Sequence, residues 1–286
     1  MLEIKKVGIA GAGAMGLGIA QVFAQNNFGV VLYDSADKQI EKAKKEIEKN
    51  LDVAVSKGKL TANAKADTLQ RIHFSTSISS LVADLIIEAI VEKLEPKQSL
   101  LQTIAAQNSE ETILTSNTSS IPITRIAKGI VNPSRIAGLH FFNPAHLMKL
   151  VEVIAAAETS SETIQTLSAL VLKIGKTPVV CKDSPGFIVN RVARHYYVES
   201  LKALEEKTAT QENIDALMES AGFKLGPFKL MDMVGNDINF AVTSSLFDSF
   251  HQDPKFRPSR IQQQKVDAGH LGQKTGKGFY DYNSTL

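Results

Sequence analysis

A chain of 286 residues with 43% hydrophobic and 22% charged side chains can bury a full core, and one or two soluble domains are expected. Lysine and arginine number 32 against 30 acidic residues, a formal net charge of +2, which removes any global electrostatic case for nucleic acid or an anionic membrane surface. No apolar run approaches the roughly 20 residues needed to span a bilayer, and the stretch from Val7 to Ala24, superficially a secretion signal, is interrupted by five glycines. A cytoplasmic protein is expected. The single cysteine, Cys181, cannot form an internal disulfide and reads as a small buried strand residue, and the six histidines do not fall at metal-ligand spacing.

In chain order, short β-branched runs alternate with longer helical patterns, the signature of βα units on a mostly parallel sheet. Strands are expected at Lys6 to Ala10, Val30 to Tyr33, Arg71 to Phe74, Leu85 to Ala89, Thr112 to Ser116, Arg135 to Leu139, Val151 to Ile154 and Pro178 to Cys181. Runs such as Leu85-Ile86-Ile87 fit strands covered on both faces. Between them, Ala36 to about Val55 places Ile40, Ala43, Ile47, Leu51 and Ala54 on one helical stripe and its many charges elsewhere. Asp183-Ser184-Pro185-Gly186 is a turn signal, after which β-like segments give way to helical patterns such as Ile188 to Glu206 and Gln211 to Ala221. The expected architecture is a doubly wound, Rossmann-type α/β domain over residues 1–184 and a smaller all-helical domain over 185–286. The glycine-rich stretch from Leu271 to Tyr280 reads as an ordered surface loop.

Gly11-Ala12-Gly13-Ala14-Met15-Gly16 fits G-x-G-x-x-G, directly after one expected strand and opening a helix with Met15, Ile19, Val22 and Phe23 on one side. Gly11 permits a tight turn, Gly13 lets a pyrophosphate approach backbone N–H groups, and Gly16 allows close packing of helix on strand. The second strand ends in Asp34, 18 residues past Gly16, near the spacing at which an acid meets ribose hydroxyls. An anionic Asp34 also repels a 2′-phosphate, and no arginine follows it, so NAD is favoured over NADP. Asp34 could at the same time cap the next helix, with Ser35 as a competing cap.

Further along, His140 stands at the end of an apolar strand, where open parallel sheets place ligand-contacting groups. Twelve residues later Glu152 interrupts the apolar strand Leu150-Val151-Glu152-Val153-Ile154, which is unfavourable unless a buried partner exists, and His140 is the obvious one. Such a pair favours imidazolium and fixes which ring nitrogen faces a substrate. A histidine satisfied by backbone carbonyls is the plainer reading. His73, His195, His251 and His270 have no partner at catalytic or metal spacing, and His146 reads as loop structure.

With these residues assembled, the chain resembles the L-3-hydroxyacyl-CoA dehydrogenases, particularly the short bacterial 3-hydroxybutyryl-CoA dehydrogenases, nearly end to end. Besides the glycine motif, the resemblance is carried by Glu88-Ala89-Ile90-Val91-Glu92, Ser116-Asn117-Thr118-Ser119-Ser120, His140-Phe141-Phe142-Asn143-Pro144, Met148-Lys149-Leu150-Val151-Glu152-Val153, Asp183-Ser184-Pro185-Gly186-Phe187-Ile188-Val189-Asn190-Arg191 and Lys274-Thr275-Gly276-Lys277-Gly278-Phe279-Tyr280. It implies an enzyme that interconverts (S)-3-hydroxyacyl-CoA and 3-ketoacyl-CoA, with His140 as general base or acid, Glu152 orienting it and Ser119 hydrogen-bonded to the reacting oxygen. It further implies that Asn190 completes the pocket, that Glu92, Lys97, Ser119, Asn143 and Lys274 line the NAD site with Asp34, and that Lys57 meets coenzyme A. Lys57 could equally be an ordinary surface lysine, since Lys59 and others are neighbours.

The resemblance also implies a homodimer formed through the helical domain. Val242, Leu246, Phe247 and Phe250 lie at a spacing that suits that role or an intramolecular core. Asn236 stands where the family usually has an apolar residue, which bears on acyl-chain preference. Two rival readings stay open: a dehydrogenase of a free hydroxy acid or sugar acid on the same fold, and a non-catalytic NAD(H)-binding or crystallin-like protein.

Overall fold

A computed structural model describes residues 2–283, which divide into two compact units with the boundary between Ser184 and Pro185. The first unit is built on an eight-stranded sheet: β1 (Lys6–Ala10), β2 (Gly29–Tyr33), β3 (Ile72–Ser75), β4 (Leu85–Glu88), β5 (Ile113–Ser116), β6 (Ile136–Phe141), β7 (Leu150–Ala155) and β8 (Thr177–Lys182). The spatial order is β3-β2-β1-β4-β5-β6-β7-β8. All neighbours are parallel except β6 and β7. The order reverses between β1 and β4, so the loop after β1 opens at the crevice where doubly wound sheets bind ligands.

Connecting helices α1 (Ala14–Gln25), α2 (Asp37–Ser56), α3 (Ala62–Gln70), α4 (Leu94–Gln107), α5 (Ile123–Ala127) and α6 (Ser161–Lys173) complete the unit. Strand periodicity sorts the two faces. Val7, Ile9, Leu85, Ile87, Leu139, Phe141, Val151 and Val153 join Ile19 and Phe23 of α1 and Ile47 and Leu51 of α2 in one core. Residues of opposite parity, including Glu88, Ser116, His140 and Glu152, therefore share the other face. The α2 stripe buries Ile40, Ala43, Ile47 and Leu51 as expected, with Ala54 only half-buried near its end.

Two local expectations need correction. The residue capping α2 is Ala36, with no side-chain cap, and neither Asp34 nor Ser35 takes that place, because the helix begins only at Asp37. Cys181 is half-buried, not fully buried, because β8 is an edge strand. Its thiol is still pushed up to about 12, by burial first and then by Glu152 and Asp183.

The second unit is helical: α7 (Val189–Glu205), α8 (Gln211–Ser220), α9 (Pro227–Val234), α10 (Asn236–Ser249) and α11 (Arg260–Asp267). Leu246 is buried within it and Phe250 stacks on Phe256 at 4.8 Å, so part of the stripe on α10 serves this unit's own core. Asn236 is wholly buried, its amide donating to Asp232 at 2.8 Å. Among the described residues no helix is long and apolar enough to cross a membrane.

The tail after α11 is less of a surface loop than its glycines suggest, because buried Asp232 holds it. The Asp232 carboxylate accepts from the N–H groups of Phe279 and Tyr280, both at 2.9 Å, and from the Tyr282 hydroxyl at 3.1 Å. Phe279 then packs against Phe228, Met231 and Leu201. A Cβ at Gly278 would fall 2.0 Å from the Asp232 carboxylate, so the close approach needs glycine. Asp232→Ala should strand these donors and lower stability by on the order of 3 kcal/mol. Urea unfolding, with proteolysis at Lys274 and Lys277 as a local probe, would detect it; wild-type resistance in both would contradict the anchoring role.

Candidate active site

The glycine turn meets three different demands. Gly11 has φ +106° and a Cβ there would lie 2.5 Å from the Ala89 carbonyl oxygen, while a Cβ on Gly16 would lie 1.7 Å from the carbonyl oxygen of Gly11. Both positions are thus closed to any side chain by backbone. A Cβ on Gly13 would meet nothing within 4 Å: that side is open space at the N-terminus of α1, where no side chain caps the helix and its first turn carries no acid. The helix dipole and backbone N–H groups there suit a pyrophosphate.

Asp34 is locked beside this turn. Its Oδ2 accepts from Ala12 N–H at 2.9 Å and its Oδ1 from Ala36 N–H at 3.0 Å. Turn and carboxylate form one piece, which fits a dinucleotide with its ribose on Asp34. Lys57 ends α2 as its exposed C-terminal cap.

At the carboxyl end of β4 sits a buried ionic cluster. Glu88 is fully buried and accepts from Lys97 Nζ at 2.7 Å, from Ile90 N–H at 2.7 Å and from the Ser116 hydroxyl at 2.5 Å. Lys97, only 1% exposed, reaches Glu92 as well, at 3.2 Å. Glu92 in turn accepts from the Thr118 hydroxyl at 2.6 Å, Ser119 N–H at 3.0 Å and the Ser120 hydroxyl at 3.1 Å. Burial alone would raise the Glu92 carboxyl, but the Lys97 charge, Thr118 and Ser119 outweigh it and hold it below the usual carboxylate range. Lys97 thus stands beneath Glu92, and Glu92 ties down the Ser119 loop. Glu88 stands in a sequence motif that does not itself disclose this role; its signal is a carboxylate closing the apolar strand Leu85-Ile86-Ile87.

A buried histidine–carboxylate pair lies two strands away. Antiparallel register sets His140 opposite Glu152, and His140 Nδ1 lies 2.7 Å from Glu152 Oε2. Glu152 is fully buried and His140 6% exposed. The His140 ring contacts Phe142 at 4.5 Å. Asn117 helps hold the strand end, its side-chain oxygen accepting from Phe141 N–H at 2.8 Å. Exposed Asn143 follows two residues later. Ser119, Glu92, His140 and Glu152 thus belong to the carboxyl ends of β4, β5 and β6 and the strand paired to β6, the edge where open parallel sheets bind ligands.

The remaining expected residues belong to the helical unit. Asn190 lies in the first turn of α7, half-buried. Lys274, exposed, is ion-paired with Asp237 at 2.6 Å, a partner the sequence did not suggest. Burial would raise Asp237, but Lys274 and backbone donors lower it overall.

Two outcomes follow from the ionic cluster. Glu88→Gln should leave Lys97 without its fully buried counter-charge and cost about 3–5 kcal/mol; Glu88→Leu combined with Lys97→Met should recover most of that in urea unfolding, and full stability of the single variant would refute the pairing. Because Glu92's folded pKa lies below its unfolded value, its contribution is present above the carboxylate range and lost as pH falls through it. Melting curves of wild type and Glu92→Gln should therefore differ at neutral pH and converge in acid; a gap that widens in acid would reverse the assignment.

Comparison with known proteins places the chain. Residues 6–184 match the sequence profile described as 3-hydroxyacyl-CoA dehydrogenase, NAD binding domain, and residues 186–282 match that of the 3-hydroxyacyl-CoA dehydrogenase C-terminal domain. The chain is 48% identical over 286 residues to the 3-hydroxyadipyl-CoA dehydrogenase of Escherichia coli, covering 99% of this chain and 60% of that protein, so it spans less than two thirds of this relative. It is 44% identical to the mitochondrial hydroxyacyl-coenzyme A dehydrogenase of Rattus norvegicus, covering 98% of this chain and 91% of the relative. The crystal structure of (S)-3-hydroxybutyryl-CoA dehydrogenase from Ralstonia eutropha superposes with a TM-score of 0.94 at 41% identity, covering 98% and 99% of the two chains. The chain belongs to the 3-hydroxyacyl-CoA dehydrogenase family, with the NAD-binding domain first and the C-terminal domain after it.

Proposed function

We propose that the protein interconverts (S)-3-hydroxyacyl-CoA, with 3-hydroxybutyryl-CoA as the favoured member, and 3-ketoacyl-CoA. The observation that carries this reading is the buried His140–Glu152 pair, 2.7 Å apart at the ligand-binding edge of the sheet. NAD, when bound, supplies the hydride acceptor.

In the oxidative direction His140 takes the hydroxyl proton of the substrate through Nε2 while Nδ1 faces Glu152. Expelling hydride from an alcohol that kept its proton would leave a protonated ketone, so the base is needed as hydride leaves. Glu152, buried and anionic, orients the ring and stabilises the imidazolium that forms. Ser119 donates to the substrate oxygen as negative charge gathers there, and Glu92, bound to the Ser119 N–H, holds its loop. In reduction the imidazolium returns the proton.

Asp34 fits the ribose hydroxyls, and Asn143 and Lys97 belong to the cofactor side, Lys97 acting through Glu92. In the helical unit, Asn190 is the proposed contact for substrate and Lys274 for the cofactor. Lys57 is the proposed contact for coenzyme A, and a homodimer formed through the helical unit is part of the same reading.

The test mixes protein, NADH and acetoacetyl-CoA and follows nicotinamide absorbance. Wild type should turn over rapidly, and His140→Gln should lose about 10²- to 10⁴-fold in rate while keeping its affinity for NADH. Equal rates would remove His140 from the mechanism. NADH binding without turnover of any 3-ketoacyl-CoA would instead support a non-catalytic protein.

A further inference from the structure

Lys176 is a buried cation that the chemistry above does not use. Its backbone is fixed by the way α6 ends: Gly175, at φ +71°, donates to the Leu172 carbonyl at 2.9 Å, and Lys176 N–H donates to that of Val171 at 3.0 Å. This paired closure is a Schellman motif, and it aims the residue after the glycine back toward the protein. The residue is only 8% exposed, and its ammonium donates to the Ala145 carbonyl at 2.8 Å and the Met148 carbonyl at 2.6 Å.

Those carbonyls bracket the apex of the loop between β6 and β7. The same loop is closed by the Pro144 carbonyl, which accepts from Leu147 N–H at 2.9 Å and Met148 N–H at 3.0 Å. Leu147 and Met148 are exposed at 66% and 42%, so little apolar burial holds the apex in place. Ala145, by contrast, is 1% exposed, and a Cβ on Gly18 of α1 would lie 3.1 Å from its Cβ. The loop that leaves β6 after His140 therefore rests directly on the helix that begins at the glycine turn.

Burial pulls the Lys176 ammonium below its ordinary pKa, and burial, then the Lys176 charge, does the same to His146. A cation placed there is costly unless its hydrogen bonds are specific.

We propose that Lys176 is a positioning residue: by gripping Ala145 and Met148 it seats the β6–β7 loop on α1 and fixes the spacing between the His140 base and the dinucleotide-binding helix. Lys176 touches no reacting atom. The proposal rests on the dehydrogenase reading for its kinetic consequence, whereas its structural consequence stands apart from it.

The experiment compares wild type, Lys176→Gln, Lys176→Arg, Gly18→Ala and the Gly18→Ala/Lys176→Gln double variant. Hydrogen exchange at Leu147 and Met148 is followed without cofactor or substrate. NADH affinity is measured by nicotinamide fluorescence, and kcat and KM for acetoacetyl-CoA are measured with NADH saturating. Lys176→Gln should speed exchange at both amides, weaken NADH binding and lower kcat about ten- to a hundredfold, the scale on which small misplacements act, with KM little changed. Lys176→Arg, whose donors can reach both carbonyls, should recover much of kcat. Gly18→Ala should act in the same direction, and the double variant should lose less than the product of the single losses.

Unchanged exchange in Lys176→Gln overturns the proposal, as does faster exchange with wild-type kcat and NADH affinity. If Lys176→Gln does not fold, Gly18→Ala decides: wild-type kcat and NADH affinity in that variant overturn the proposal. A wild-type protein inactive on acetoacetyl-CoA would strike the dehydrogenase reading, leaving exchange and NADH affinity to judge Lys176.

Discussion

Glu152 has no contact with solvent, in the middle of a strand whose neighbours are valine and isoleucine, and only a specific counter-group makes that position tenable. Antiparallel pairing provides it. Opposed residues on such strands approach most closely, and in this register His140 is the residue opposite Glu152. A slip of one residue would turn Glu152 toward the core that holds Val151 and Val153, and His140 would face an apolar side chain. The single antiparallel junction in an otherwise parallel sheet is therefore where strand register and the pairing of this histidine and carboxylate coincide. Burial of the carboxylate selects the register, and the register sets the imidazole against it.

The same rule operates at the switch point, with a different construction. Glu88 has no cross-strand basic partner, so its counter-charge comes from α4, through Lys97, and the cluster extends outward to Glu92 and the Thr118–Ser120 loop. Order passes from a fully buried pair to a half-exposed carboxylate and then to a loop that is itself only half-buried at Ser119. Such an arrangement gives a surface loop the rigidity of the core beneath it. Both networks serve one edge of the sheet, which is why groups distant in sequence converge there.

Much of this was legible in the sequence because it is written in local pattern. The glycine turn, its flanking strand and helix, the acid ending β2, and the alternation of strands and helices all follow from periodicity and spacing of a few residues. Glu152 was legible for the opposite reason, as a charge that breaks a pattern. What the sequence did not disclose depends on partners chosen by the fold. Lys97 carries no mark in its own segment that it will be buried under Glu92. Asp232 meets Phe279 and Tyr280 nearly fifty positions along the chain, and Lys176 meets backbone carbonyls, which have no sequence signature at all. Asp34 looked like a cap by residue type, yet its carboxylate binds the glycine loop because parallel pairing brings β2 beside β1.

That last displacement bears on cofactor choice. An aspartate held only as a helix cap could rotate away from an incoming phosphate and lose one hydrogen bond. Asp34 uses one oxygen on Ala12 and the other on Ala36, so rotation would break the glycine turn's support and the entry to α2 together. Its negative charge is consequently a fixed feature beside the glycine turn. A 2′-phosphate would meet that charge at short range with no arginine in the Ser35-Ala36-Asp37-Lys38 segment to offset it. The backbone hydrogen bonds that hold Asp34 still thus weigh against a 2′-phosphate at this turn as much as the presence of an acid does.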